Sequence, residues 1–340
     1  MISPKIPTNA NTDGGSEDWR PTADLKALGL RAELLARIRR FFAERHVLEV
    51  ETPLLASTTT TDLHLASMEA SCPTGTGQIE TGQINQRLFL QTSPESFMKR
   101  LLAAGSGPIF QICKAFRAGE LGRYHNPEFT LLEWYRPGFD REKLMDEVEL
   151  LVGSILPIGP AKRMTYTHAF QQHANLDPFQ APLSTLRDCA RGLGFAPEDT
   201  YTLDRDACLD LILSQVVQPA LGQGAVFIYN FPATQASMAR IVADDPLVAE
   251  RFELFVNGIE LANGYHELAD SREQRDRFLA DIEKRRQMRL PRLPVDERLL
   301  TALGHGLPDC AGVALGVDRL LMLLAETDLE AVLAFPFPRV

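Results

Sequence analysis

The chain has 340 residues, of which 45% are hydrophobic and 24% are charged. This composition is ordinary for a globular protein and excludes a disordered, collagen-like or coiled-coil chain. The formal net charge is −10, which disfavours non-specific binding to nucleic acid, because that binding depends on Lys and Arg contacts to phosphates. No run of about 18 apolar residues is present, so neither a transmembrane helix nor a membrane partner is expected.

The five cysteines are odd in number and widely spaced, which argues against a disulfide framework and against a zinc site. The N-terminus lacks the basic region and the apolar stretch of a signal peptide. We therefore expect a cytoplasmic protein whose thiols are reduced.

The first half of the chain contains a tail, a helix and a pair of strands. Residues 1–22 are rich in Pro, Asn, Thr, Gly and Ser and are predicted to form a flexible N-terminal tail. Apolar residues at helical spacing predict an amphipathic helix over residues 30–45, followed by a strand over residues 47–51. Two further strands, over residues 109–117 and 128–136, are joined by a polar loop that contains glycine and proline.

The second half begins with a mainly helical insertion over residues 160–215. The elements predicted after it are a strand at 225–231, a hairpin at 252–256 and 259–262, a charged helix at 270–290, a strand at 310–317 and a helix at 318–326. Because hairpin-linked strands and separate blocks of helices dominate, the fold class is predicted to be α+β, with an antiparallel β-sheet flanked by helices.

The predicted hairpin brings two acidic residues together. A two-residue turn at 257–258 would place Glu253 opposite Ala262, with Glu253 and Glu260 as diagonal neighbours on one face. Two carboxylates repel each other at this distance unless a cation lies between them, and Mg²⁺ shared with a phosphate is a suitable cation. A solvated hairpin face is the alternative. Glu267 follows closely and strengthens the case for a site that binds cationic groups.

Two further positions are chemically unusual. Glu133 shares a strand face with Leu131 and Tyr135, where an unpaired carboxylate is costly to bury. Arg117, at the end of the preceding strand, could pair with it or bind a phosphate. In the last helix Asp318 could be the N-terminal cap, whereas Arg319 opposes the helix dipole and is expected to have an anion or a base as its partner.

Taken in order, these segments resemble the three signature motifs of class II aminoacyl-tRNA synthetases. The helix before Val47-Leu-Glu-Val-Glu-Thr-Pro53 resembles motif 1, and motif 2 is matched by Phe116-Arg117 together with His125-Asn-Pro-Glu-Phe129 and the strand that follows. Motif 3 is matched by Gly312-Val-Ala-Leu-Gly316-Val-Asp318-Arg319. Thr92-Ser-Pro-Glu95 and Glu260-Leu-Ala-Asn-Gly-Tyr-His-Glu267 are of the kind found in the lysine-type subgroup. The resemblance implies a class II synthetase-like catalytic domain over residues 23–340.

Lysyl-tRNA synthetases have an N-terminal OB-fold domain that binds the anticodon, and the residues before motif 1 leave no room for it. The chain is therefore similar to a family of catalytic-domain paralogues, the elongation factor P (R)-β-lysine ligases. This resemblance implies that ATP and Mg²⁺ activate (R)-β-lysine, and weakly α-lysine, as an adenylate, and that elongation factor P accepts the aminoacyl group on a lysine ε-amine. It also implies a homodimer formed through residues 30–53 and no binding of a tRNA anticodon. The alternatives are a truncated synthetase that charges tRNA and a non-catalytic regulatory paralogue.

The resemblance also assigns roles to individual residues. Arg117 and Arg319 are the implied catalytic residues, and Glu253 and Glu260 are the implied ligands of Mg²⁺. The residues implied to bind ATP are Arg117, Ala118, Gly119, Asn126, Phe129, Glu260, Leu261, Gly316 and Arg319. The residues implied to hold the amino acid are Ser93, Pro94, Glu95, Glu133, Tyr135, Asn263, Glu267 and Ala314.

The sequence departs from the family pattern at two positions. Relatives tend to have Arg-Asn-Glu where this chain has Arg117-Ala118-Gly119-Glu120, so the acid that contacts adenine is displaced by one residue. Lysyl-tRNA synthetases usually have glycine where Ala314 stands. The added methyl group is expected to reshape the amino-acid pocket and to disfavour α-lysine.

Overall fold

A computed structural model describes residues 19–63, 65–73 and 85–340. Most of the predicted tail, residues 1–18, lies outside this part of the chain. At Thr22 the backbone N–H already donates to the Ala334 carbonyl, at 2.8 Å. Within the described ranges no helix is long and apolar enough to cross a membrane.

The larger sheet contains nine strands among the described residues, in the order β1-β5-β6-β12-β11-β10-β8-β7, with β9 paired to β10. Its strands are β1 (Leu48–Glu49), β5 (Ile109–Phe116), β6 (Glu128–Pro137), β7 (Lys162–Thr165), β8 (Ala225–Pro232), β9 (Ile241–Val242), β10 (Asp245–Val256), β11 (Ile259–His266) and β12 (Cys310–Gly316). A smaller sheet consists of β2 (Leu55–Ala56), β3 (Glu69–Pro73) and β4 (Asn85–Leu90).

The predicted antiparallel sheet is confirmed for six successive strands of the sheet, β5-β6-β12-β11-β10-β8, which pair antiparallel with one another. Both edges differ, because β1 pairs with β5 and β7 pairs with β8 in parallel. These two edge strands are short, and a chain that reaches each of them through a helix or loop can enter in either direction.

The helices pack on both faces of this sheet. They are α1 (Leu25–Ala43), α2 (Glu95–Ala103), α3 (Arg141–Ile155), α4 (Tyr166–Ala174), α5 (Leu183–Gly192), α6 (Pro197–Thr202), α7 (Arg205–Ile212), α8 (Gln218–Ala220), α9 (Ser271–Gln287), α10 (Glu297–Gly306), α11 (Val317–Ala325) and α12 (Leu329–Val332). Helix α1 begins five residues earlier than predicted, because the Asp24 carboxylate accepts a hydrogen bond from the Ala27 N–H at 2.7 Å and caps it.

The two faces of the sheet are covered differently. On one face, α1, α3 and α11 form a continuous core in which the Phe42 ring stacks on Phe110 with centroids 4.5 Å apart. On the other face, the helices between α4 and α8 cover β8 and β10 around Tyr166 and Phe170. Helices α2 and α10 cover the opposite end around Ile109. The middle of this second face is left open between the two covers, over β6, β12 and β11.

One predicted pairing in the hairpin is wrong. Glu253 pairs with Asn263, and Ala262 pairs instead with Leu254, because a β-bulge at Leu261 shifts the register by one residue. Leu261 and Ala262 consequently both face the core, while Glu260 and Asn263 both line the open face. The bulge therefore keeps the acidic residue and the amide on the same side as Glu253.

The predicted cap of the last helix is also wrong. Helix α11 begins at Val317, with Gly316 at the cap position, and Asp318 lies in its first turn, only 3% exposed. One oxygen of the Asp318 carboxylate lies 2.5 Å from Arg31 of α1, and the other accepts a hydrogen bond from the Thr130 N–H of β6 at 2.6 Å. Asp318 therefore joins three elements rather than closing one helix end.

Candidate active site

A cavity of about 1020 Å³ opens on the uncovered part of the sheet. Most of the residues that the sequence predicted for the site line it: Ser93, Glu95, Arg117, Asn126, Phe129, Glu133, Tyr135, Glu260, Leu261, Asn263, Glu267, Ala314, Gly316 and Arg319. Four predicted residues are not part of its lining: Pro94, Ala118, Gly119 and Glu253. Pro94 is the N-cap residue of α2, and the Ala118 N–H donates to the Ala66 carbonyl at 2.7 Å.

Strand pairing places the key residues of four strands side by side. Glu133 of β6 is in register with Ala314 of β12, Ala314 with Asn263 of β11, and Asn263 with Glu253 of β10. Residues in register on neighbouring strands have their side chains about 5 Å apart on the same face. The Ala314 methyl group therefore lies between the Glu133 carboxyl and the Asn263 amide, on the floor of the cavity.

One end of the cavity is strongly acidic. Glu95, Glu133 and Glu267 line it, and Tyr135 donates its hydroxyl hydrogen to Glu133 Oε1 at 2.7 Å. Glu133 Oε2 and Glu267 Oε1 are buried and have no hydrogen-bond partner among the described residues. Buried carboxylate oxygens without a partner are costly, so this end of the cavity is built to receive hydrogen-bond donors.

The pKa values at this end reflect the crowding of acids. Burial raises the pKa of Glu133 well above its usual value, and the negative charge of Glu95 raises it further. Burial also raises the pKa of Glu267 to about 7, although the nearby Lys99 ammonium opposes the rise. Glu133 thus favours its neutral form, whereas Glu267 titrates near neutral pH.

Gly312 provides the space in which this end is formed. It is in register with Tyr135 of β6, and a Cβ at this position would lie 2.3 Å from the Tyr135 ring and 2.5 Å from Glu267 Oε1. Any side chain at residue 312 would therefore displace either the aromatic ring or the carboxylate. The sequence indicated Gly312 only as the first residue of motif 3, and this packing role was missed.

Cationic groups lie at the other end of the same strands. The Arg117 guanidinium is 5.0 Å from the centre of the Phe129 ring, a distance typical of a cation–π contact. Arg117 Nη1 is 3.8 Å from the Glu120 carboxylate, and Arg117 Nε is buried without a hydrogen-bond partner in the described ranges. Gly119, which precedes Glu120, has a φ of +80°, a backbone conformation that favours glycine.

Arg319 fixes the loop between β5 and β6. Its guanidinium donates to the carbonyls of Glu260 at 2.7 Å and Tyr124 at 3.1 Å, and lies 2.8 Å from His125 Nε2. Burial and the charge of Arg319 lower the pKa of His125, so the neutral imidazole accepts this hydrogen bond.

Asn126 is engaged within the protein on both sides of its amide. Its Nδ2 donates to the Glu128 carbonyl at 2.6 Å, and its Oδ1 accepts from the Phe337 N–H at 2.9 Å. These contacts tie the loop to the C-terminal segment. The implied ATP contact of Asn126 stays a prediction, and it requires one of these hydrogen bonds to be shared or exchanged.

The two predicted metal ligands are near each other but differ in exposure. Glu260 lines the cavity, whereas Glu253 is buried beside Arg251, with 2.5 Å between Arg251 Nη2 and Glu253 Oε1. Burial raises the pKa of Glu253 to about 7, Arg251 opposes the rise, and the negative charge of Glu260 adds to it. Arg251 was not predicted, although its position two residues before Glu253 on one strand face is a readable signal.

Lys99 is a further residue that sequence reasoning missed. It is 1% exposed, and its ammonium lies 2.8 Å from Glu95 Oε1 and 2.6 Å from Glu267 Oε2. The spacing of four residues between Glu95 and Lys99 on one helix is a recognisable ion-pair pattern. The contact with Glu267 joins residues far apart in the chain and has no local signal.

Comparison with known proteins identifies the family. A family model described as tRNA synthetases class II (D, K and N) matches residues 17–339. Proteins named elongation factor P–(R)-β-lysine ligase from Salmonella paratyphi B, Salmonella schwarzengrund and Salmonella typhimurium are each 50% identical over 323 residues, which are 94% of this chain and 98% of each relative.

The chain therefore belongs to the class II tRNA synthetase family of the D, K and N type. Its fold class and the resemblance read from the motifs are confirmed. The family and the names of these relatives together show that the protein is an enzyme of the ligase class.

Substituting Gly312→Ala tests the packing of the acidic end. The new methyl group would overlap Tyr135 and Glu267, so we expect a loss of about 1–3 kcal/mol in the free energy of unfolding, measured by urea denaturation. Gly153→Ala is the matched control, since Gly153 lies in α3 with nothing within 4 Å of the added Cβ. The control is expected to be neutral or slightly stabilising. Equal stability of the two variants would contradict the close packing described for Gly312.

Proposed function

We propose that the chain activates (R)-β-lysine with ATP and transfers the aminoacyl group to a lysine ε-amine of elongation factor P. The main support is a single cavity with acidic and cationic ends. The acids surround Gly312, whereas Arg319 follows Gly316 at the other end of β12. Gly312 and Gly316 are roughly 13 Å apart along an extended strand, a length that accommodates an amino acid and the phosphates of a nucleotide in sequence.

The charges of the acidic end match a diamino acid. A lysine isomer has two ammonium groups, which need hydrogen-bond acceptors of negative charge when they leave water. Glu267 Oε1 is a buried acceptor without a partner in the described part of the chain, and Glu95 adds a second carboxylate. The neutral Glu133 adds an uncharged acceptor, its Oε2. The names of the curated relatives agree with (R)-β-lysine as this substrate.

The first chemical step is the formation of an adenylate. A carboxylate oxygen of the amino acid attacks the α-phosphorus of ATP, the bond from that phosphorus to the bridging oxygen breaks, and pyrophosphate leaves. The protein need not supply a nucleophile, so its contribution is orientation and stabilisation of charge. Arg117, whose Nε is buried without a partner within the described residues, would donate to the α-phosphate.

The second step transfers the acyl group. The neutral ε-amine of the acceptor lysine attacks the acyl carbon, the carbon–oxygen bond to AMP breaks, and the amine loses a proton. Phe129 and Arg319 would hold the adenine between an aromatic ring and a guanidinium plane, so that AMP stays oriented as the leaving group. In this proposal no tRNA anticodon is bound, and the enzyme works in the cytoplasm.

The residues near Glu260 fit Mg²⁺ as the accompanying metal. Glu260, which lines the cavity, would provide a carboxylate oxygen, the kind of ligand that Mg²⁺ prefers. Glu253 is paired with Arg251 and would provide a second one only by sharing or giving up that contact, and a cation would relieve the repulsion between the two acids. No group of three or more His, Cys, Asp or Glu that could hold a metal occurs among the described residues, so phosphate oxygens and water must complete the coordination. When bound, the metal neutralises phosphate charge.

Pyrophosphate exchange into ATP, measured with (R)-β-lysine and with α-lysine, tests the first step. Transfer of radiolabelled amino acid to elongation factor P, compared with transfer to tRNA, tests the second. We expect exchange that depends on (R)-β-lysine and transfer to the protein acceptor. Transfer to tRNA alone would support a truncated synthetase, and no exchange with either isomer would support a regulatory paralogue.

The substitution Arg117→Ala is expected to abolish most adenylate formation and to leave the fold intact. Loss of one donor to a developing charge typically costs about 10²–10³ in rate. The measurement is the exchange rate at saturating ATP, with circular dichroism as the check on folding. An exchange rate close to that of the unaltered enzyme would show that Arg117 does not contact the α-phosphate.

The substitution Ala314→Gly is expected to shift preference towards α-lysine. The methyl group lies between Glu133 and Asn263 on the cavity floor, and the two lysine isomers differ only in the position of one amine. One methyl group in a pocket is worth about 1–3 kcal/mol, or roughly 10–200-fold. The measurement is the ratio of exchange rates for the two isomers, and a change below about twofold would exclude Ala314 as the selectivity determinant.

We also propose a homodimer formed through residues 30–53. The edge strand β1 exposes Leu48, with Leu54 and Leu55 exposed just beyond it, and such apolar groups on an unpaired edge are typical of an interface. Light scattering at micromolar concentration should give the dimer mass, and Leu48→Glu should reduce it to the monomer. Leu150→Glu, which alters an exposed leucine of α3, should leave the dimer intact. A monomeric mass for the unaltered protein would disprove this interface.

A further inference from the structure

Lys99 lies behind the wall of the cavity rather than in it. The side chain belongs to α2, is 1% exposed, and does not contribute to the lining, whereas Glu95 and Glu267 do. Its ammonium contacts both of these carboxylates and also lies 3.4 Å from Met238 Sδ. A buried ammonium is stable only when it is paired, and here both partners are groups that face the substrate.

We propose that Lys99 is a positioning residue that sets how many negative charges the amino-acid pocket presents to the substrate, and where they lie. This inference rests on the proposed function, because it concerns recognition of the two ammonium groups of a diamino acid. Lys99 touches Glu95 and Glu267 from behind, so it acts on the substrate only through them. Lys99 fixes the Glu95 carboxylate, at the start of α2, and the Glu267 carboxylate, just after β11, relative to each other.

Charge counting shows why the pocket needs this residue. Three acids within one buried region repel one another, and without a cation at least one more of them would take up a proton. Lys99 offsets one negative charge from its place between the Glu95 and Glu267 carboxylates, so that Glu267 ionises near neutral pH while Glu133 is neutral. The pocket then presents two carboxylates for two ammonium groups.

The protonation of Glu267 depends on groups from four elements. Glu95 and Lys99 face it from α2, Glu133 and Tyr135 from β6, Cys310 from β12, and its neighbours Tyr265 and His266 from β11. Lys99 and His266 both lower the pKa of Glu267, and Lys99 does so more strongly. Removal of Lys99 therefore raises the pH at which Glu267 becomes able to bind an ammonium group.

The test is the substitution Lys99→Met, with the KM for (R)-β-lysine measured by pyrophosphate exchange between about pH 6 and pH 9. The KM values are compared at each pH as the ratio of variant to unaltered enzyme, in which any loss of protons from the substrate amines cancels. In the unaltered enzyme, KM should fall as pH rises through about 7, where Glu267 ionises. In the variant, KM at pH 7 should be about tenfold higher, and the fall should move to higher pH. The kcat value should change much less than KM.

Two variants complete the experiment. Arg100→Met is the matched control, because Arg100 is the next residue of α2 and contacts Phe97 instead of the site carboxylates, and it should keep the original pH profile. Lys99→Arg retains the charge and should keep the pH midpoint of the unaltered enzyme. Lys99→Arg also tests the proposal if Lys99→Met fails to fold, because a shifted pH midpoint of KM in Lys99→Arg would overturn it.

A loss of affinity in Lys99→Met that is independent of pH would show that Lys99 only fills space, and an unchanged KM would show that it does not act on the substrate. The unaltered enzyme reports separately on the proposed function. If it shows no exchange with either lysine isomer, the proposed function fails. The role of Lys99 is judged separately, from the ratio of the KM of the variant to the KM of the unaltered enzyme.

Discussion

The pairing of β12 between β6 and β11 is the constraint on which the rest of the site depends. The two strands that carry most of the acids belong to different hairpins, and β12 is the element that brings them within reach of each other. A slip of β12 by one residue would turn Ala314 towards the core and place Val313 or Leu315 between Glu133 and Asn263. The carboxylate of Asp318, held between the Thr130 N–H and Arg31, locks the end of β12 against β6 and α1. Loss of one partner from such a buried pair typically costs about 3–5 kcal/mol.

The same register places Glu133 and Glu267 in buried positions where ionisation is unfavourable for the folded protein. Burial raises the pKa of both Glu133 and Glu267 above the value of an unfolded glutamate. An acid with a raised pKa in the folded state lowers stability as pH rises from the unfolded value through the folded one, because the unfolded chain ionises more easily. The protein therefore has a cost in stability at neutral pH, which the dication of the proposed function would offset when bound. A site whose acids are satisfied only by its ligand is selective for that ligand.

Sequence reasoning was most successful where a short motif defines both a local structure and a chemical group. The hairpin and the strand–helix junction of motif 3 are of this kind, and the predicted α+β fold follows from them. It failed where a contact joins distant parts of the chain. The bulge at Leu261 could not be predicted from the turn, because it arises from the demand that two successive residues face the core. Lys99 and Gly312 were missed for the same reason, since their partners Glu267 and Tyr135 lie on other elements.

The local charges of the cavity also explain how an acidic protein can use a polyanion. The net charge of −10 argues against non-specific binding of nucleic acid, because each phosphate contact requires a cation on the surface. A single nucleotide requires only a few cations in a confined space, where the effective dielectric constant is lower and each contact is stronger. In the proposed reaction Arg117 and Arg319 would provide these at one end of β12, and the acids around Gly312 would provide the opposite charge at the other end. ATP at the cationic end and a diamino acid at the acidic end would then meet in one relative orientation, with the carboxylate of the amino acid directed towards the α-phosphate.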